Sequence, residues 1–288
     1  MAEKDISEKI LESYNDVFAD IVNVLLFDGE IIIKPEELID QNPRAAYKAD
    51  GKLREIERDV AKQWTKSNIR IACIGLENQT IADADMPMRV IGYDGAEYRA
   101  QLSKGNERYP VVTLVLYFGT DRHWDKARSL YEALDIPDQF APYVQNYRIN
   151  LFEIAYLDPE VVKKFKSDFK IVADYFVQKR MNGEYQPSAE KIDHVQAVLQ
   201  LLRVMTNDHR FEEVANNAHE GEITNMCEVL DKIIAKNEAK KEAQVREDVA
   251  ISLLEDGIKL SAIMRATKLS EEAIRDIAKR IGVEVVEG

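Results

Sequence analysis

Runs of apolar and polar residues along the first half of the chain predict its elements. In residues 6–27 apolar positions recur at the three- and four-residue spacing of a buried helical stripe, and Asp28-Gly29 is expected to end this helix. Three consecutive isoleucines in residues 30–34 predict a short strand. The polar residues 40–51, which include Pro43, predict a loop.

The following stretch is richer in strand patterns. Residues 54–64 fit either a helix or a strand, whereas the β-branched run at residues 69–76 predicts a strand. Residues 85–102 predict a helix that carries Pro87 in its first turn. Residues 109–118 are almost continuously apolar, which is typical of a strand covered on both faces. The order of these elements predicts a mixed α/β sandwich.

The second half of the chain has mainly helical patterns. Residues 140–156 predict a loop with one strand at residues 147–154, and helical spacing dominates afterwards. We therefore predict three parts. These are an α/β core at residues 1–157, a helical region at 158–236, and a charged linker with a small helical tail at 237–288.

Composition limits the class of protein and its partners. The 288 residues carry a net charge of −13, which argues against broad, nonspecific binding to DNA but leaves room for a local basic surface or a carboxylate site. Apolar runs are too short to span a bilayer, and no signal-peptide core is present, so we expect a cytoplasmic protein without a membrane partner. Cys73 and Cys227 are too few and too far apart for a disulfide framework.

Several common types of site have no sequence support. His123, His194, His209 and His219 lack the spacing of a zinc site. Nucleotide-binding glycine loops and serine or cysteine nucleophile motifs are also absent from the sequence.

The most informative segment is Ile74-Gly75-Leu76-Glu77-Asn78-Gln79. Along a strand, Glu77 and Gln79 project to the same side, because side chains alternate between the two faces. Carboxylate oxygens are the ligands that Mg²⁺ prefers, so Glu77 can serve as a metal ligand beside a water-orienting amide. The alternative is a solvated strand end.

A second carboxylate would have to come from a neighbouring strand. Asp59 is the best candidate, 18 residues before Glu77 (77 − 59 = 18). Asp50, Glu55 and Glu57 lie nearby in the sequence and remain alternatives.

Together these motifs resemble the recombination-promoting nuclease and putative transposase (Rpn) family of the PD-(D/E)XK nuclease superfamily. The resemblance covers about residues 18–119. It rests on Phe18-Ala19-Asp20, Arg58-Asp59-Val60, Ile74-Gly75-Leu76-Glu77-Asn78-Gln79, Met86-Pro87-Met88-Arg89-Val90 and the strand at residues 110–119.

The resemblance implies a fold and an activity. The fold would be a restriction-endonuclease-like mixed-sheet α/β core flanked by helices, followed by a mostly helical C-terminal region. The activity would be Mg²⁺-dependent cleavage of DNA, with Mn²⁺ as a substitute, linked to recombination or transposition. Asp59 and Glu77 would match the two metal-binding acidic positions, and Asp20 would match an acidic residue of the first helix that completes the site.

Gln79 departs from the superfamily pattern, which usually has lysine at this position, although the family that the chain resembles often carries glutamine there. Glutamine can hydrogen-bond the attacking water but supplies no positive charge. We hypothesise that Arg89, on the following helix, supplies part of that charge. Its alternative role is that of an ordinary exposed or ion-paired arginine.

The C-terminal tail allows two interpretations. Residues 258–282 contain six Lys/Arg and three Asp/Glu, a local charge of +3, and could form a helix-turn-helix that holds DNA through Arg275, Lys279 and Arg280. The same helices could instead form a small pack for stability or for homo-oligomerisation.

Two other functions remain open for the whole chain. One is a catalytically inactive relative that binds DNA or a protein. The other is a structural homo-oligomer assembled through the helical region beyond residue 159.

Overall fold

The structure is a computed structural model, and the chain forms two compact units, Met1–Cys227 and Glu228–Gly288. The residues that it describes are 11–41, 44–49, 52–57, 60–74, 82–103, 108–206, 208–217 and 223–287.

A five-stranded mixed sheet forms the centre of the first unit, in the order β1-β4-β5-β6-β7. Strands β4 and β5 are antiparallel, whereas β5, β6 and β7 run parallel to one another. Strands β2 and β3 pair in a separate two-stranded sheet. The strands are β1 (Leu38–Asp40), β2 (Arg44–Ala49), β3 (Lys52–Glu57), β4 (Val60–Trp64), β5 (Ile69–Ile74), β6 (Val111–Tyr117) and β7 (Asn150–Glu153).

Helices cover both faces of the five-stranded sheet. On one face, the Lys62 ammonium of β4 lies 5.7 Å from the ring centre of Phe18, which belongs to helix α1 (Asn15–Phe27). On the other face, Val115 and Tyr117 of β6 pack against Met86, Val90 and Tyr93 of helix α2 (Met86–Ser103). This arrangement and the helical region after it confirm the predicted α/β fold class.

The face of α2 that meets the sheet carries buried polar residues. Asp94 accepts a hydrogen bond of 2.6 Å from Thr113 Oγ1 of β6 and a second from the Tyr147 hydroxyl. Glu97, one helical turn later, forms an ion pair of 2.8 Å with Arg70 of β5. These bonds fix α2 against β5 and β6 more specifically than apolar contact alone, because each polar group is directional.

The short strand predicted at residues 30–34 does not form. The side chain of Asn23, on α1, binds this segment by donating to Ile33 O at 2.7 Å and by accepting from the N–H groups of Ile32 and Ile33 at 3.1 and 2.9 Å. The backbone groups that a strand would pair are thus satisfied by one amide side chain. Asp28 ends α1 in the left-handed conformation (φ 54°), as predicted for its C-terminus.

The prediction of a loop at residues 40–51 is also wrong, since β2 occupies Arg44–Ala49. Strand β2 pairs with β3 residue by residue from Arg44 opposite Glu57 to Ala49 opposite Lys52. Of the ambiguous residues 54–64, residues 54–57 end β3 and residues 60–64 form β4, while residues 58–59 lie outside the described residues. Cross-strand pairing of this kind decides strand formation where the local pattern is mostly polar.

Among the described residues of the first unit, five α-helices follow β6. Gly183 ends the longest of them at a positive φ of 72°, which glycine adopts without steric cost. They are α3 (Leu130–Ala133), α4 (Pro159–Val162), α5 (Phe169–Asn182), α6 (Val195–Thr206) and α7 (His209–Asn217).

Three helices make up the second unit: α8 (Met226–Glu255), α9 (Leu260–Thr267) and α10 (Glu271–Ile281). The charge-rich stretch predicted as exposed helix or linker is the middle of α8, which is continuous over 30 residues. Ser270 caps α10, as predicted, by accepting a hydrogen bond from Ala273 N at 3.2 Å. The end of α8 packs with α9 and α10 around an apolar core.

No helix in the part of the chain that the structure describes is both long enough and apolar enough to cross a membrane.

Candidate active site

The candidate site lies at one edge of the five-stranded sheet, where four strands begin or end. Val60, the first residue of β4, pairs with Cys73 near the end of β5, because these strands are antiparallel. Cys73 in turn pairs with Leu114 of β6, and Tyr117 of β6 pairs with Glu153 of β7. The start of β4 and the ends of β5, β6 and β7 therefore share this edge.

Three of the predicted site residues lie outside the described residues. Asp59 immediately precedes Val60 in the sequence, and Glu77 follows Ile74 by three positions, with Gln79 two positions further on. The roles predicted for Asp59, Glu77 and Gln79 thus stay predictions. Val60 and Ile74, the described residues nearest to Asp59 and Glu77 in the sequence, nevertheless lie at the same edge of the sheet.

Asp20, the predicted third acidic residue, holds a loop in place. Its Oδ2 atom accepts hydrogen bonds from the backbone N–H groups of Lys166 and Ser167, at 2.8 and 2.7 Å. This links α1 to the turn between α4 and α5. Asp20 also lines a groove of about 220 Å³ together with Asp16 and Asp168.

Arg89 lies on the first turns of α2 and is ion-paired. Its guanidinium donates to Asp83 Oδ2 at 2.9 Å and to the Tyr93 hydroxyl at 3.3 Å. Burial acts to lower the pKa of Arg89, but these hydrogen bonds outweigh it and raise the pKa above its ordinary value. The arginine therefore keeps its charge, and part of that charge is balanced by Asp83.

Lys62 is a buried cation that the sequence patterns do not single out. It lies on β4 and its side chain is fully buried. The ammonium donates to Ser13 O and Asn15 Oδ1, both at 2.7 Å, and forms an ion pair with Asp40. The three N–H donors of the Lys62 ammonium are engaged at the start of α1 and on β1. Lys62 therefore does not replace the superfamily lysine whose position Gln79 occupies.

Glu153, the last residue of β7, organises the loop that follows β6. One carboxylate oxygen accepts from the backbone N–H of Trp124 at 2.7 Å and lies 3.1 Å from His123 Nδ1, and the other accepts from Arg128 at 2.9 Å. Burial acts to raise the pKa of Glu153, but the hydrogen bonds from Trp124, His123 and Arg128 outweigh it, so the pKa is lowered. Glu153 is therefore an anion at neutral pH.

The imidazole of His123 contacts both the Glu153 carboxylate and the ring of Tyr156. Its ring centre is 3.7 Å from that of Tyr156, while 68% of its side chain is exposed. No sequence pattern beyond residue type indicates this pair, because His123 and Glu153 are 30 positions apart.

No group of three or more His, Cys, Asp or Glu side chains that could hold a metal ion occurs within the described ranges. That observation does not test the predicted metal site, since two of its three ligands are Asp59 and Glu77. The oxygen-donor chemistry of those two carboxylates fits a hard cation such as Mg²⁺.

Two of the three cations through which the predicted helix-turn-helix would hold DNA are ion-paired within the tail unit. Arg275 forms ion pairs with Glu271 at 2.8 Å and Glu287 at 2.7 Å, and Arg280 forms one with Glu247. These pairs are exposed and individually weak. Both DNA binding by this tail and homo-oligomerisation through the helices stay predictions.

Comparison with known proteins gives one family match. The model of a family described as putative transposase, YhgA-like, matches residues 50–214, which is more than half of the chain and includes β4, β5, α2, β6 and β7. No curated protein matches the chain, and no solved structure does. The chain belongs to the YhgA-like putative transposase family, and a transposase-like or nuclease-like role follows from that membership.

Proposed function

We propose that this protein is a Mg²⁺-dependent DNA endonuclease that acts in recombination or transposition. One observation carries the proposal: Val60, the residue after Asp59, pairs with Cys73, four positions before Glu77, so β4 begins and β5 ends at the same edge of the sheet. Asp59 is covalently next to Val60, and Glu77 is at most about 11 Å along the chain from Ile74. Family membership supports the same reaction class.

Each site residue has a distinct task in this proposal. Asp59 and Glu77 bind the cation with carboxylate oxygens, and Asp20 is the third candidate ligand. The cation, when bound, neutralises charge on the phosphate and favours ionisation of water. Gln79 orients the attacking water through its amide, and Arg89 stabilises the negative charge that develops on the phosphate.

Asp20 fits this scheme only if its carboxylate serves two purposes. One oxygen, Oδ2, already holds the N–H groups of Lys166 and Ser167. Backbone hydrogen bonds of this kind fix a carboxylate in orientation, and a carboxylate has further lone pairs for a metal ion. Asp20 thus acts as an orienting ligand whose position depends on the turn before α5.

The test is cleavage of supercoiled plasmid with Mg²⁺ or Mn²⁺. We expect nicking by the parent protein, a loss of about 10²-fold or more in Asp59→Asn and Glu77→Gln, and no change in Asp138→Asn. Asp138 is a matched control because its side chain is exposed. Equal nicking by all four proteins would contradict the assigned site.

A catalytically inactive relative that binds DNA or protein is the second candidate function. Gln79 in place of lysine, the net charge of −13 and the pairing of Arg89 with Asp83 all favour it. A folded parent protein that binds DNA but leaves plasmid intact with either metal would select this function over the first.

A further inference from the structure

The loop between β6 and β7 combines exposure with an unusually constrained backbone. After β6 ends, the Tyr117 hydroxyl donates to Arg122 O at 3.1 Å, and the Tyr156 hydroxyl donates to Thr120 O at 3.2 Å. Trp124 donates its backbone N–H to Glu153, and its buried indole packs edge-on against Tyr117 with ring centres 5.4 Å apart. The loop backbone is thus held at three points.

Gly119 makes one of these constraints sterically feasible. A Cβ atom at this position would lie 2.1 Å from the Tyr117 hydroxyl oxygen and 2.3 Å from the ring carbon that bears it. Only glycine therefore lets Tyr117 fold back across the chain and reach Arg122 O. This close packing shows that contacts within the protein determine the conformation of the loop.

The same rigid loop presents three exposed side chains that can donate to an anion. Arg122, His123 and Lys126 have 70%, 68% and 43% of their side chains exposed. Asp125 lies 3.6 Å from both Arg122 and Lys126, at the long end of ion pairing, and such surface pairs exchange readily for other partners. Asp121 is exposed on the same loop, so the loop's two carboxylates equal in number the two permanent cations Arg122 and Lys126.

The lysines around α5 form the competing cationic surface, and three of them lie in shorter ion pairs than Arg122 and Lys126 do. Lys163 lies 2.6 Å from Glu160, Lys170 lies 2.6 Å from Glu190, and Lys191 lies 2.6 Å from Asp193. Displacing these shorter contacts would cost more than displacing the 3.6 Å contacts of Asp125. The loop after β6 is therefore the better site for a new anion.

We infer that loop 120–126 is a preorganised contact for the phosphate backbone of DNA, through Arg122, His123 and Lys126. The inference rests on the proposed function, since it places this contact beside the candidate active site. Strand β7, where Glu153 holds the loop, is three strands from β4, a distance of about 14 Å. One helical turn of DNA is about 34 Å long, so a duplex seated at the start of β4 reaches the loop.

The test measures binding of a fluorescent 30-base-pair duplex by anisotropy over a range of salt concentrations. It uses the full chain in an Asp59→Asn background, so that cleavage does not consume the duplex. We expect Arg122→Gln/His123→Gln/Lys126→Gln to weaken binding about tenfold at ~0.1 M salt and to reduce the slope of log K against log salt by about two.

The matched control is His209→Gln/Arg210→Gln on α7. This pair is also exposed and also ion-paired, at 3.3 Å to Glu212 and 2.6 Å to Asp208. We expect its affinity and salt slope to equal those of the parent. An unchanged loop variant, or a control that loses as much as the loop variant, would overturn the inference.

A second variant separates a positioned contact from simple net charge. Glu153→Gln removes one negative charge, which alone would strengthen DNA binding, but it also weakens the bonds that hold Trp124 and His123. We expect weaker binding, and stronger binding would overturn the preorganised contact. Loop-dependent binding by a protein that never cleaves DNA would support this inference while refuting the endonuclease, and no binding by the parent would refute both.

Discussion

The buried ion pair between α2 and β5 gives the sharpest test of the packing behind the site. Arg70 Nη1 and Glu97 Oε1 are 2.8 Å apart, and each side chain is at most 7% exposed. Tyr109 adds a hydrogen bond of 2.7 Å to the same carboxylate oxygen. Glu97→Gln keeps the side-chain volume but removes the negative charge, so Arg70 remains as a buried cation without its carboxylate.

The expected cost follows from this burial. Breaking a buried ion pair by removing one partner typically costs about 3–5 kcal/mol. That is a large fraction of the roughly 5–15 kcal/mol by which a domain is stable. Replacing both charges in Arg70→Met/Glu97→Gln leaves no uncompensated cation, so we expect the double variant to lose less than the sum of the single losses by about 2 kcal/mol or more.

The assay is urea unfolding at neutral pH followed by tryptophan fluorescence. Both tryptophans, Trp64 and Trp124, belong to the first unit, so the signal reports on the part of the chain that contains the pair. A loss below about 1 kcal/mol in Glu97→Gln, or strictly additive losses in the double variant, would refute the reasoning, because exposed pairs behave that way.

Three further predictions concern single residues. The pKa of Glu153 is lowered, so its ionised form stabilises the fold above pH 4.5, the ordinary glutamate value, and this contribution is lost as the pH falls below it. The melting temperature of Glu153→Gln should therefore vary less with pH between about 5 and 3 than that of the parent. Ser270→Ala should destabilise α10 by about 1 kcal/mol, seen as faster amide exchange near Ala273, with no change in α5 as the internal reference. Arg89→Ala should slow plasmid cleavage on the order of tenfold, and an unchanged rate would remove its catalytic role.

The main elements of the sheet could be predicted because their signals are local. β6 is an almost continuous apolar run, and its residues from Leu114 to Tyr117 are fully or almost fully buried. α2 and the C-terminal helices follow the helical spacing of apolar residues and the capping residues at their ends.

The elements that the sequence did not predict depend on partners outside the element itself. Residues 30–34 have strand-forming side chains, but Asn23 takes their backbone hydrogen bonds. β2 and β3 are rich in charged residues and become strands only by pairing with each other. No local pattern records such choices.

The candidate site shows the same division. A carboxylate after an apolar strand is visible in the sequence at Glu77, and so is Asp59 before another strand. Contacts that join distant positions are not visible, as for Lys62 with Ser13, 49 residues apart, or Glu153 with His123. Such contacts depend on how distant elements pack together, and this packing leaves no periodic pattern in a single sequence.

The central claim is that Asp59 and Glu77 together bind a divalent cation for DNA cleavage. The most direct measurement is Mn²⁺ binding by electron paramagnetic resonance, run beside plasmid nicking on the same samples of the parent, Asp59→Asn, Glu77→Gln and Asp138→Asn. The account predicts Mn²⁺ binding and nicking by the parent and Asp138→Asn, and loss of both in the other two variants. Binding and nicking that survive in Asp59→Asn and Glu77→Gln would contradict it.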